Sequence, residues 1–470
     1  MADNPLETAG YMSQSKSPDA EFLLGPGSRI HMVGIAGAGM SGLAKILAQQ
    51  GFRVSGSDLR LGPHSAPLLD LGIDMWSGHQ PDRASEWDVL VTSSAVPTSD
   101  PEVRSATLAG VEIWARPDLL EAMTRAMPAI GISGTHGKTS SSALAVAALR
   151  AMGHDPSYMV GGRLTDLATN AHLGDPALFV LEADEAFGTF LRLNLKSLLV
   201  TNVEADHLDF YEHGSNVLSA FQYVAASTDG PVIVCADDEG AMQVWDGAIT
   251  YGQSPASDWQ VGELSGDARG AEFGVRKPSG EMVTVRIPKP GLHMALNATG
   301  VMALLSELGF DAQKVAEGFS SFAGVHRRYE HRGSIRDVEL IDDYAHHPTE
   351  IAATIKAARA GHPNRLVAVF QPHRYTRTAE HATGLGAALV AADVIVVTDV
   401  YAAHELPIPG VSGASVVRSA EAAGKPVVYE PSRAGLARTV ADLLEPGDRV
   451  LTLGAGDITQ LPDELLAILS

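Results

Sequence analysis

The 470-residue chain has one cysteine, Cys235, so no disulfide can form within it, and a reducing compartment is expected. Cys235 lies in the apolar stretch PVIVCADD, where a buried core thiol is the ordinary role. A membrane-spanning run is also missing. The longest candidate, GLGAALVAADVIVVTDVYAA, is interrupted by Asp393 and Asp399 and reads as a helix followed by a buried strand. The opening MADNPLETAGYMSQSKSPDAE has neither a basic start nor an apolar centre, so it is not read as a signal peptide. Its polarity predicts disorder over residues 1–22. A soluble cytoplasmic protein without a membrane partner is the expectation. Positive charge is scarce too: 34 Lys and Arg stand against 56 Asp and Glu, a net charge of −22. That excludes a nonspecific nucleic-acid binder, but not small anions held by local loops.

What the chain does have is two different glycine-rich loops, about a hundred residues apart. HMVGIAGAGMSGLAKIL places Gly37, Gly39 and Gly42 in the G-x-G-x-x-G register. AIGISGTHGKTSSSALAV carries Gly134, Gly137, Lys138 and Thr139. Each loop follows an apolar strand-like run and opens a helix-like one. A helix N-terminus offers unpaired N–H groups and a positive dipole end to phosphate. Two such loops suggest two phosphorylated ligands brought together, which suits a transferase or ligase.

The length suggests about three domains. RIHMVGI, RVSGSD, DVLVTSSAV and VEIWA read as strands of a doubly wound sheet. ALFVLEAD, SLLVTNV and GPVIVCADD read as buried parallel strands of a second unit. Residues Trp259 to Pro288 alternate more and suggest an antiparallel patch, closed by the helix HMALNATGVMALLSELG. VELIDDYAHHP, RLVAVFQPH, DVIVVTDVY and RVLTLGAGD form a third set, each strand ending in polar residues. The expected architecture is α/β with three domains: 23–127 Rossmann-like, 128–323 a P-loop-type ATPase domain with a mostly parallel sheet, and 324–470 Rossmann-like.

GTHGKTS is a relative of the P-loop, lacking its first glycine because Ile132 stands there. Lys138 would place a cation on the terminal phosphates and Thr139 could ligate Mg²⁺. In the first loop, Asp58 ends the second strand about twenty residues on, where a ribose-binding acid sits in NAD enzymes. LEADEAF and TNVEADHLD end adjacent strands, and Glu182 and His207 are the preferred Mg²⁺ ligands among their polar residues. DDYAHHPTE has His346 and His347 at a spacing unlike a zinc helix motif, with no obvious further ligand in the sequence. QPHRYTRT adds His373, Arg374 and Arg377, and the arginines could clamp carboxylate or phosphate.

HMVGIAGAGMSGLA, SGTHGKTS, LEADEAFGTF, TNVEADHLDFY, GLHMALNATG, GVHRRYE, DDYAHHPTEI, QPHRYTRT and DVYAAHELPIPGVSG occur in an order that resembles the Mur ligase family. The likeness runs from about Arg29 to about Leu461. It implies ATP-dependent amide-bond formation between UDP-N-acetylmuramate and L-alanine, with ATP and Mg²⁺, for peptidoglycan precursor synthesis. It assigns Gly37, Gly39, Gly42, Asp58 and Ser93 to the UDP-sugar rather than to NAD. Gly134, Thr135, His136, Gly137, Lys138 and Thr139 would hold ATP, with Asn202 near its γ-phosphate and Asn297 on adenine. Thr139, Glu182 and His207 would serve the metal. Asp343, His346, Arg374 and Arg377 would complete the site from the C-terminal domain, His346 as a candidate base for the alanine ammonium. Ala36, Ala186, Phe187, Met294, His326 and His404 depart from the usual pattern. No lysine lies between Leu208 and Ser227, so the carbamoylated lysine of some sister ligases is not expected. A murein-tripeptide recycling ligase and, from another class, an NAD-binding oxidoreductase or dinucleotide sensor are the alternatives. A monomer or weak homodimer is expected, with small-molecule substrates and no nucleic acid.

Overall fold

The structure is a computed structural model that describes residues 25–62, 65–93, 95–362 and 364–470. The expected N-terminal disorder lies outside the described residues. Among them, the strands form three sheets of five, ten and six strands.

The first sheet is wholly parallel. Its order is Asp74–Ser77, Arg53–Asp58, Arg29–Val33, Val89–Thr92, Glu112–Ala115. The sequence reading missed Asp74–Ser77, a short edge strand whose one buried side chain, Trp76, leaves little periodic signal. Trp76 and Trp87 stack on either side of the fully buried His31, at 4.9 and 4.0 Å between ring centroids.

The second sheet has a parallel centre and antiparallel ends. Ala129–Ser133 lies between Leu195–Val200 and Asp175–Glu182. Trp259–Asp267, Gly270–Arg276 and Met282–Ile287 form the antiparallel patch that their alternation suggested. Central strands covered on both faces are near-continuously apolar, as the AIGIS and LLV runs require. The helix Leu292–Glu307 packs across this sheet and is buried over most of its length. The third sheet centres on Arg449–Leu453, flanked by Val338–Asp343 and Leu366–Phe370, with Glu330–Ile335 antiparallel at one edge.

One apolar core runs through the first and second units, whereas the third has a core on each face of its own sheet. The glycine-loop helix Ala38–Gln49 touches the second unit at Gly42, where an added Cβ would lie 3.3 Å from the Cβ of Ala171. Arg192, in the second unit, is paired with both Asp118 and Glu121 of the first. Cys235 is buried, and burial pushes its thiol up to about 12, so it is the inert core residue its surroundings suggested. No helix among the described residues is long and apolar enough to cross a membrane.

A close approach of helix to sheet gives a stability test. A Cβ on Gly300 would lie 2.7 Å from the Tyr251 ring and 3.0 Å from Leu199 Cδ1. Gly300→Val is expected to cost about 1–3 kcal/mol by overpacking, seen as a lower urea midpoint at unchanged slope.

Candidate active site

The carboxyl ends of the central strands of the second and third sheets face a common cavity of about 1000 Å³, which the first unit reaches through its glycine-loop helix. Ala38, Ser41 and Lys45 line it from the first unit, Lys138, Thr139, Glu182 and His207 from the second, and His346, Arg374 and Arg377 from the third.

The second glycine loop is its floor. Strand Ala129–Ser133 ends at Gly134, whose φ of +128° few side chains tolerate, and an added Cβ there would collide with Thr201 Oγ1. The helix Lys138–Ala151 begins directly after Gly137. Asn202 braces the loop between them: its Oδ1 accepts from the His136 N–H at 2.8 Å and its Nδ2 donates to the His136 carbonyl at 3.0 Å. Asn297 is buried behind the loop, its Oδ1 2.8 Å from where a Gly137 Cβ would be. The structure therefore places Asn202 and Asn297 against the loop backbone, where they shape it.

Lys138 Nζ donates to the carbonyl of Gly134 at 2.7 Å and to Glu185 Oε2 at 2.7 Å. Burial alone would lower its pKa, but Glu185 and Asp184 outweigh burial and raise it, so the ammonium stays charged. Burial pushes Glu185 up to about 7 even beside this lysine. Sequence reading gave Glu185 no role, because its significance lies in a contact 47 positions away. Thr139 Oγ1 donates to Glu182 Oε1 at 2.9 Å, and the Gly161 N–H donates to Glu182 Oε2. His207 Nε2 is 3.8 Å from Glu185 Oε1 and 3.9 Å from Asp206 Oδ2, and burial lowers its pKa. Thr139, Glu182 and His207 thus line the same cavity.

From the third unit, Arg377 reaches across to Asp206 at 3.1 Å. Burial would raise Asp206, but Arg377 overrides it and holds the carboxyl well below the usual range. Arg374 pairs with Glu405 at 2.5 Å. The His346 Nδ1–H donates to the Tyr344 carbonyl at 2.9 Å, leaving Nε2 as an acceptor. Burial holds this imidazole neutral, down to about 3. Asp343 lies behind the wall and accepts N–H groups from Tyr329 and Ala345, both at 2.7 Å, and burial pushes it up to about 6. It fixes the turn that presents His346. Two arginines that the sequence reading left without a role, Arg327 and Arg328, also line the cavity and lie over the Tyr344 ring at 4.9 and 5.0 Å. Their only signal was the paired charge in GVHRRYE.

In the first glycine loop the structure separates the glycines by task. Gly34, at φ +81°, is the one the turn requires, and an added Cβ would sit 2.8 Å from Ser93 Oγ. Gly37 precedes the helix, and Gly39 backs onto the Arg116 guanidinium, 3.0 Å from an added Cβ. Asp58 accepts from the Ala36 N–H at 3.1 Å and so braces the loop. Lysines and arginines from three units outnumber the carboxylates in the cavity lining, the reverse of the balance of the whole chain.

Family models of the Mur ligases match in three blocks: the family's catalytic domain at residues 29–127, its middle domain at 132–305 and its glutamate ligase domain at 327–456. The chain is 40% identical to a UDP-N-acetylmuramate–L-alanine ligase of Acidothermus cellulolyticus, over 93% of this chain and 94% of that one. It is 41% identical to the enzyme of the same name from Mycolicibacterium gilvum, over 94% and 96%. A crystal structure of UDP-N-acetylmuramate-alanine ligase from Thermotoga maritima superposes with a TM-score of 0.80 at 28% identity, covering 94% of this chain and 98% of that one. A murein peptide ligase of Psychrobacter arcticus shares the fold, with a TM-score of 0.68 at 24% identity over 94% and 99%.

His136 gives a test of the electrostatics. Burial would lower its pKa, but Glu204 and Glu350 raise it to about 9. A raised folded pKa adds stability that is fully present below about 6.5 and lost as pH rises through about 9. The loss should be on the order of 3 kcal/mol, read from denaturant midpoints in wild type and absent in His136→Asn. Titration of the His136 ring near its ordinary value would contradict this arrangement.

Proposed function

The chain belongs to the Mur ligase family, and we propose that it joins L-alanine to the lactyl carboxylate of UDP-N-acetylmuramate, cleaving ATP to ADP and phosphate. The observation that carries the reading is the Lys138 loop opening onto a cavity lined by cations from all three units. Neither tripeptide recycling nor a redox function is favoured by the two curated relatives.

A carboxylate cannot expel oxide, so the acid must first be phosphorylated. The lactyl carboxylate oxygen attacks the γ-phosphorus, ADP leaves, and an acyl phosphate forms. The alanine amine then attacks the acyl carbon, and the carboxylate-derived oxygen departs with inorganic phosphate. Two anions must approach each other in the first step, which needs fixed positive charge. Lys138 supplies it from the loop, and Arg374, Arg377 and Arg328 supply it from the opposite wall. In the free protein Lys138 is held by Glu185. Phosphate oxygens entering the loop compete for that ammonium, and Glu185, already at about 7, can take a proton as the lysine turns away. The neutral Nε2 of His346 can accept a hydrogen bond from the amine.

The oxygen donors of Thr139 and Glu182, with His207 lining the same cavity, fit a hard divalent cation completed by nucleotide phosphates. These residues would hold Mg²⁺, which supplies charge neutralisation on the phosphates when bound. Gly37, Gly39 and the loop held by Asp58 and Ser93 would take the UDP-diphosphate. The reaction takes place in the cytoplasm in this reading, on small-molecule substrates.

ADP release in the presence of UDP-N-acetylmuramate and each amino acid or murein tripeptide in turn tests the function. Release with L-alanine is expected, and stronger release with the tripeptide would point to the sister activity. Lys138→Ala should lower kcat by about 100- to 1000-fold. The side chain is buried against Glu185, not on an outer loop, so its loss also removes the partner of a buried carboxyl. Stability must be read alongside; a folded variant with normal kcat would remove this loop from the ATP site.

Gly39→Val separates the two loops. The added side chain must displace Arg116 from the first loop. UDP-N-acetylmuramate binding should weaken strongly by calorimetry while ATP binding to the free enzyme survives. Loss of ATP with retention of the sugar nucleotide would reverse the two assignments.

A further inference from the structure

The histidine pair of DDYAHHPTE has no zinc-type spacing, but the fold brings ligands to it from far along the chain. His347 Nδ1 lies 3.7 Å from Glu204 Oε2, and His136 Nε2 lies 3.6 Å from the same oxygen. All three ligand atoms fall within 4.8 Å of one another. Neither ring nitrogen has a hydrogen-bond partner, although the His136 side chain is 10% exposed and His347 only 6%. Both nitrogens stand just beyond hydrogen-bond distance of one carboxylate oxygen, so the ion pairing there leaves buried donor or acceptor capacity unused.

The outer contacts have the matching form. The other nitrogen of His136, Nδ1, faces Glu350 Oε1 at 3.3 Å. A metal-bound histidine commonly donates its second N–H to a carboxylate, which fixes the tautomer and strengthens the ligand. Ligand atoms about 2.0–2.2 Å from a tetrahedral ion lie about 3.4 Å apart, so the 3.6 and 3.7 Å pairs need a slight contraction and the two histidine nitrogens must close from within 4.8 Å.

We propose that His136, Glu204 and His347 form a site for a divalent transition metal of the zinc class. Two histidines and a carboxylate suit such an ion better than Mg²⁺, which takes oxygen ligands. Its ligands are different residues from Thr139, Glu182 and His207, although His136 lines the same cavity as these. It joins the phosphate loop to the third unit beside the existing contact between Thr349 and Glu204. A bound ion therefore staples the ATP-binding and C-terminal domains together and slows the opening that releases products. Binding displaces the proton otherwise shared between His136 and its two carboxylates. The inference does not depend on which amino acid the enzyme uses.

The test is Co²⁺ titration of the full-length protein without nucleotide, followed by visible absorption. One equivalent should give the d–d bands of a tetrahedral ion, and Zn²⁺ should displace it and raise Tm. His347→Ala and Glu204→Gln should abolish the spectrum, and Glu350→Gln should weaken affinity about 10- to 100-fold. Glu182→Gln should leave it in place. If Glu204→Gln does not fold, His347→Asn replaces it. An absent spectrum in wild type overturns the site and leaves a protonated His136 clasped by two carboxylates. A spectrum that survives in His347→Ala, or disappears in Glu182→Gln alone, also overturns it by assigning the ion elsewhere.

Discussion

The ion pair of Lys138 with Glu185 is the interaction on which the site depends. A charged ammonium at the first turn of a helix, facing the positive end of its dipole, is unfavourable by itself. The carbonyls of Gly134 and Thr135 and the buried Glu185 carboxylate make it tolerable. The same three partners, with Asn202 holding the N–H groups of Thr135 and His136, fix the conformation in which the loop turns into its helix. Glu185 is in turn placed by its neighbours: the Tyr211 hydroxyl donates to its backbone carbonyl at 2.7 Å, and His207 stands 3.8 Å away. The cation is thereby stored in the protein interior before substrate arrives.

The third unit meets this stored charge through paired rather than free groups. Arg377 is matched by Asp206, and Arg328 by Glu350 at 3.7 Å. His136 sits between Glu204 and Glu350, one carboxylate from each side of the domain boundary. These contacts resemble the ones substrates would make, with acidic side chains standing where phosphate and carboxylate groups would compete. Opening and closing can then exchange one set of charge pairs for another without leaving a buried charge alone.

Much of this was legible in the sequence, for physical reasons. Parallel strands buried on both faces are continuous apolar runs, so AIGIS, SLLV and VIVC were plain. The strand-loop-helix order of GTHGKTS pointed to phosphate because the backbone supplies the chemistry. The edge strand Asp74–Ser77 escaped because edges carry little periodicity. Glu185 and Glu350 escaped because they act through partners distant in the chain, and one acid in an acidic sequence has no mark. Asn202 and Asp343 hold backbone that shapes the walls, and Asn297 lies buried behind the loop, roles that the sequence does not mark. In the first loop, Gly34 takes the left-handed turn, while the G-x-G-x-x-G pattern drew attention to its neighbours. The zinc-class ligands could not be found by spacing, since they come from three separated segments.

The central claim is that the charges around Lys138 serve to convert a carboxylate into an acyl phosphate. Its most direct test uses UDP-N-acetylmuramate with both lactyl carboxylate oxygens labelled as ¹⁸O, incubated with ATP, Mg²⁺ and L-alanine. Mass spectrometry of the released phosphate should find one ¹⁸O atom in each molecule, with ADP as the nucleotide product. Unlabelled phosphate, or label carried into AMP, would contradict the account.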